Sequence, residues 1–303
     1  MTTTATRPAT AHRPAMARAV GLVRTCRPRQ WIKNVLVLAA PASAGVLTQG
    51  AAVLDVTLAF VAFCLAASGT YLINDARDAA ADRAHPRKKH RPVAAGVVPV
   101  PLAYAWGVAG LLASVALSFL TGSGYLAVVI AAYVLLTTAY SLWLKHVAIL
   151  DLVSVAGGFV LRAVAGAAAV GVSVSSWFLI VATLGSLFVV AGKREAELRN
   201  GERGDSRATL RLYTREFLSY VRATTSGALL VSYCLWAFEL HEGLSRLAFG
   251  LSIVPFAVGI LRYAMLIDAG AGEAPEEIVV KDRMLLMSGL LLACCLTVGV
   301  YVV

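Results

Sequence analysis

Runs of about twenty apolar residues, the length that crosses a bilayer, recur from end to end of this 303-residue chain. Nine can be marked, at 32–49, 52–74, 100–120, 124–143, 150–170, 175–193, 217–238, 247–267 and 284–303. A segment surrounded by lipid must satisfy its own backbone N–H and C=O groups, and an α-helix does so within the segment. The expectation is an all-α polytopic membrane protein, a bundle of about nine transmembrane helices with charged loops at one face. Composition agrees: 59% hydrophobic residues, only 15% charged, and a mean hydropathy of +0.75 exceed what a soluble domain of this size can hide.

Residues 1–24 are rich in Thr, Ala, Arg and Pro and lack an apolar core, which reads as a disordered cytoplasmic tail. Residues 25–303 then form a single transmembrane domain. Five cysteines, odd in number and mostly inside apolar runs, imply neither a disulfide framework nor a zinc site. Basic residues crowd the N-terminal segment, the loop after the second run and the end of the sixth, whereas the opposite side holds only Arg246. By the positive-inside bias the N-terminus and the charged loops are cytoplasmic and the C-terminus is outside, in the cell membrane. Topology and anionic headgroups therefore account for the net charge of +10, with no nucleic acid needed.

Chemistry concentrates where the second run ends, in YLINDARDAAADRAHPRKKHRPVAAG. On a continuous helix Asn74, Asp75, Asp78 and Asp82 fall within roughly 100° of arc, with Asp75 and Asp78 about 4.5 Å apart along the axis and Asp78 and Asp82 about 6 Å. Oxygen donors without sulfur or imidazole favour Mg²⁺, which commonly bridges to substrate phosphates. The block Arg87, Lys88, Lys89, His90 and Arg91, bounded by Pro86, Pro92 and Gly96, serves either as a topology anchor or as a phosphate clamp folded back over the acids.

A second polar cluster follows. YSLWLKHVAILD carries Tyr140, Lys145 and Asp151, and Arg162 lies about 16 Å deeper along the next run, within roughly 20° of the direction of Asp151. At that depth an arginine should face a cavity or a partner rather than lipid. The sixth run ends in Lys193, Arg194, Glu195 and Glu197. The stretch beyond it, through Arg211 and Tyr213, reads as a headgroup-facing amphipathic segment outside the site. Gly157, Gly158 and Gly166 suit close helix packing, within one subunit or between two as a homo-oligomer.

NDARDAAAD, YSLWLK…D and the nine-helix layout resemble the UbiA-type intramembrane prenyltransferase superfamily over nearly the whole chain. The resemblance implies aspartates that hold a diphosphate through Mg²⁺. The chain departs from the common pattern at Lys193-Arg194-Glu195-Ala196-Glu197, where most members carry a second Asp-rich motif. With RPRQWIKNVLVLAAP and RPVAAG, this looks like the decaprenyl-phosphate phosphoribosyltransferase branch. That branch implies transfer of the phosphoribosyl group of 5-phosphoribosyl 1-diphosphate to a polyprenyl phosphate, for cell-wall arabinan precursors. On that reading Asp75, Asp78, Asn74 and Asp82 are the catalytic and metal-holding residues. Lys33, Arg77, Arg87, Lys88, Lys89, Tyr140, Lys145, Asp151, Arg162, Lys193 and Arg194 make up the substrate-binding set. A prenyl diphosphate donor with an aromatic or lipid acceptor, or an ion-coupled transporter, are the alternatives.

Overall fold

Among the described residues of the computed structural model (15–86, 88–199, 208–239, 242–271 and 275–302) the secondary structure is helical, with no strand. The helices are α1 Ala15–Cys26, α2 Ala39–Ser43, α3 Gly50–Arg77, α4 Ala79–Ala84, α5 Val100–Ser118 and α6 Gly124–Leu142. They continue with α7 Leu150–Val170, α8 Ser176–Arg199, α9 Arg215–Glu239, α10 Gly243–Asp268, α11 Pro275–Lys281 and α12 Arg283–Tyr301. Seven of them (α3, α5, α6, α7, α8, α10 and α12) are long and apolar enough to cross a membrane, and the chain is a multi-pass membrane protein. Helix α9 has comparable length, but Arg215, Glu216 and Arg222 make its first turns polar.

Two expectations need correction. Residues 1–14 of the expected tail lie outside the described residues, whereas 15–24 are helical: α1 seats Gly21 and Thr25 against the protein while Met16, Val20 and Val23 face outward. The first apolar run, marked at 32–49, is not one α-helix. An eleven-residue 3₁₀ stretch, Pro28–Leu38, leads into the short α2 and a further 3₁₀ turn, Val46–Thr48. At three residues per turn, side chains three apart share a face, which here aligns Trp31, Asn34 and Val37. Trp31 Nε1 donates to Ser68 Oγ (3.1 Å), Asn34 reaches Cys64 Sγ (3.2 Å), and Val37 is fully buried. Pro41 has no N–H to offer the Val37 carbonyl four residues back, and that oxygen rests instead against Gly166 of α7.

Small residues let the backbones approach, as in other membrane bundles, where lipid is as apolar as leucine and packing must hold helices together. A Cβ on Gly69 of α3 would lie 2.7 Å from the Gly107 carbonyl oxygen of α5, and one on Gly166 would overlap the Val37 oxygen. Ala59, Ala62, Ala66 and Ala165 line the same core around Phe63, Leu126 and Ile130. Gly157 faces Leu136, and Gly158 faces Arg162 and Tyr133, so the three candidate packing glycines all pack within the subunit. Gly166→Ala is accordingly expected to push the 3₁₀ stretch off α7. It should lower the yield of monodisperse protein and its melting temperature in detergent by several degrees, as read by size exclusion after heating.

Candidate functional site

The acidic motif lies at the junction of α3 and α4, and the junction is not a continuous helix. Asp78 ends α3 and starts α4 with φ −86° and ψ 2°. Asp78 diverges from the other carboxylates at this junction. Asp75 and Asp82 turn inward and are buried, whereas the Asp78 side chain is 38% exposed and accepts from Arg77 Nε at 3.1 Å. Asn74 Nδ2 donates to Ser141 Oγ at 2.9 Å, and Arg77 also reaches the Ser141 carbonyl oxygen. The loop after α4 folds back over the acids: Arg91 Nη1 contacts both Asp82 Oδ2 (2.8 Å) and Asp75 Oδ1 (3.2 Å). Arg27 Nη2 reaches the same Asp75 Oδ1 at 2.9 Å while its guanidinium lies over the Tyr71 ring. Lys88 is half-buried and Lys89 exposed; Arg87 lies outside the described residues.

The second cluster is a closed network. Asp151, in the first turn of α7, is fully buried. Its carboxylate accepts from Arg194 Nε of α8 at 3.0 Å and from the Tyr213 hydroxyl. Arg194 in turn donates to Glu197 Oε2 (3.0 Å) and to Tyr140 Oη (3.4 Å). Burial and the bond to Asp151 push the Tyr213 phenol well above its usual range, which keeps it a protonated donor. Tyr213 also accepts the Ile149 N–H at 2.7 Å. The segment through Tyr213 is thus built into this cluster, contrary to its reading as a headgroup-facing stretch. Consecutive residues of α6 join the two clusters, Tyr140 touching Arg194 and Ser141 touching Asn74.

Next to it, Glu195 is buried between Arg222 Nε (3.0 Å) and Arg199 Nη2 (2.9 Å), and Arg222 continues to Asp268 at 2.7 Å. The two acids that replace the second Asp-rich motif are therefore each taken up by arginines.

Arg162 is also enclosed, but by neutral acceptors. Its Nε donates to Asn34 Oδ1 (2.7 Å), Nη1 to the Gly158 carbonyl (2.7 Å) and Nη2 to Tyr133 Oη (2.9 Å). The shared direction with Asp151 does not become a contact, because Asp151 is held by Arg194. Arg162 and Arg194, expected in the substrate-binding set, are 8% and 1% exposed and each is hydrogen-bonded within the bundle. Lys33, Lys145 and Lys193 are half-buried.

The described residues contain two non-glycine positions with positive φ, Arg27 (φ 54°) and Ile149 (φ 70°). Each costs on the order of 1–3 kcal/mol and persists where the surroundings over-determine it. Arg27 delivers a guanidinium to Asp75, and Ile149 begins the helix that carries Asp151. Strain thus flanks both clusters. No residue-type pattern announces it; Asn34 and Arg222, each inside an apolar run, are missed residues that polarity alone flags.

Two apolar cavities lie within the bundle. One of about 550 Å³ is lined by Leu36, Phe159, Ala163, Val189, Tyr263 and Val279, among others. A second, of about 590 Å³, is lined by Trp177, Tyr233, Trp236, Phe249 and Tyr301, and shares Ala39, Phe178 and Val181 with the first.

The molecule thus combines two buried carboxylates at a helix junction with apolar cavities inside a helical bundle. The model of the UbiA prenyltransferase family matches residues 35–300. The chain belongs to that family. Among its relatives are proteins named decaprenyl-phosphate phosphoribosyltransferase. That of Corynebacterium glutamicum is 44% identical over 289 residues, 93% of this chain and 87% of the relative. That of Mycolicibacterium smegmatis is 47% identical over 282 residues, 88% of this chain and 87% of the relative. The fold matches a UbiA homologue from Archaeoglobus fulgidus bound to DMAPP and Mg²⁺, with a TM-score of 0.70 at 18% identity, covering 93% of this chain and all of the other.

The donor chemistry of the acidic motif fits a hard divalent cation: Asp75 and Asp82 are buried carboxylates that already share one cationic group. Among the described residues no three Asp, Glu, His or Cys side chains stand close enough together to form a ready-made metal cage.

Proposed function

We propose that this protein transfers the 5-phosphoribosyl group from 5-phosphoribosyl 1-diphosphate to a polyprenyl phosphate of decaprenyl type, releasing diphosphate and supplying cell-wall arabinan precursors. The observation that carries this reading is the 44–47% identity, over most of both chains, to relatives named for that activity. The pairing of Glu195 and Glu197 with arginines supports it, since one acidic motif, not two, is left to address a diphosphate.

The C1–O bond to the diphosphate breaks as an oxygen of the acceptor phosphate bonds to C1. That oxygen is already ionised at neutral pH, so no strong general base is needed. Bound Mg²⁺, held by Asp75, Asp78 and Asp82 with Asn74 beside them, would neutralise the departing diphosphate. Arg27, Arg77 and Arg91, each about one-third exposed, face the donor from the motif's edge. Lys33, Lys145 and Lys193 hold the remaining phosphates. The Asp151–Arg194–Tyr213 network positions α6, α7 and α8, and Arg162 fixes the 3₁₀ stretch to α7. The apolar cavities take the isoprenoid chain, and the motif end faces the cytoplasm, where the donor is dissolved.

The test supplies membranes containing the protein with ribose-labelled 5-phosphoribosyl 1-diphosphate and decaprenyl phosphate. Label is expected in the organic phase with Mg²⁺ and not with chelator. Failure of label to move, with prenyl transfer from a prenyl diphosphate instead, would overturn the reading.

A further inference from the structure

Asp75 and Asp82 are 3% and 4% exposed, and a buried carboxylate stays ionised only with a cation beside it. In this structure that cation is arginine. One nitrogen of Arg91 spans both carboxylates, and Arg27 adds a second contact to the Asp75 oxygen that Arg91 also touches. These two guanidinium groups, like that of Arg77, differ from the buried arginines deeper in the bundle. Arg162 and Arg194 are enclosed, whereas the Arg27 and Arg91 side chains are 33% and 31% exposed. Their backbones are nonetheless fixed. Arg27 sits in a left-handed conformation between α1 and the 3₁₀ stretch, and Arg91 lies two residues before the fully buried Val93. Each is thus a partly exposed charge on an anchored stem.

We propose that Arg27 and Arg91 are exchange partners of the acidic motif. In the ligand-free protein they neutralise Asp75 and Asp82; when a divalent cation takes those carboxylates, the two guanidinium groups turn to the phosphate oxygens of the donor. The carboxylates therefore never stand uncompensated, and cation and anion are taken up together. This rests on the transferase reading for the identity of the donor, but the exchange itself requires only a metal and a diphosphate.

The exchange predicts effects of opposite sign. Without the competing guanidinium, Arg91→Gln should bind the metal several-fold more tightly. Having lost a charged donor to phosphate, it should bind diphosphate about tenfold more weakly or worse. A purely structural ion pair would weaken both. The measurement uses full-length protein in lipid nanodiscs, with Mn²⁺ binding read from the electron paramagnetic resonance of free Mn²⁺. Inorganic diphosphate and 5-phosphoribosyl 1-diphosphate are then titrated calorimetrically with Mg²⁺ present. Arg91→Lys, which keeps the charge, should retain Mn²⁺ affinity near that of the unaltered protein. Arg27→Gln reads the same exchange if Arg91→Gln does not fold. Tighter Mn²⁺ with weaker diphosphate supports the exchange; Mn²⁺ affinity unchanged or reduced in the folded glutamine variant overturns it. Binding of inorganic diphosphate but not of the phosphoribosyl donor would instead count against the donor's identity and leave the metal result standing.

Discussion

Replacing Asp78 by alanine is expected to reduce Mg²⁺-dependent transfer by roughly 10²–10³-fold, the loss of a few kcal/mol of charge stabilisation at the departing diphosphate. Its side chain is 38% exposed and, among the described residues, is paired with a neighbour one residue away, so the melting temperature should hardly move. Asp75→Asn tests the same role in the buried position. It keeps the shape of the side chain but removes the charge that Arg27 and Arg91 share. Transfer assays on the purified variants, beside thermal melts in detergent, check both halves. Activity that survives in both variants would remove the acidic motif from the mechanism.

Asp151→Leu should fail in another way. The carboxylate is fully buried, and its removal leaves the Arg194 guanidinium short of its partner on α7 and the Tyr213 hydroxyl without its acceptor. Breaking a buried pair from one side typically costs about 3–5 kcal/mol, a large share of the stability of an ordinary domain. The expected result is a sharp fall in folded yield and melting temperature, with transfer lost as a consequence. Arg194→Lys should not rescue, because an ammonium cannot reach Asp151, Glu197 and Tyr140 in the planar fork that the guanidinium offers. Stability and activity falling together here, against activity alone in Asp78→Ala, separates the strut from the site. A variant of Asp151 that melts normally yet transfers nothing would place that residue with the substrates instead.

The sequence by itself determined what depends on local pattern. Apolar run length set the helices, and Leu150–Val170 stands where it was marked. Oxygen donors at Asn74, Asp75, Asp78 and Asp82 identified the acidic motif, and the prolines and glycine around Arg91 marked a loop able to fold back on it. Local pattern fails where a side chain's partner is remote. Arg194 and Lys193 are neighbours in a basic-looking stretch, yet Arg194 is sealed against Asp151, 43 residues away. Arg162 and Asn34 meet across 128 residues. Helical geometry holds for Asp75 and Asp82, which meet at Arg91, but not for Asp78, which turns to Arg77 where α3 gives way to α4. Only the tertiary structure could decide which charges are struts and which remain open to a ligand. Burial is a property of the whole bundle, and in a low-dielectric interior it is burial that sets whether a cation is held by the protein or left for a phosphate.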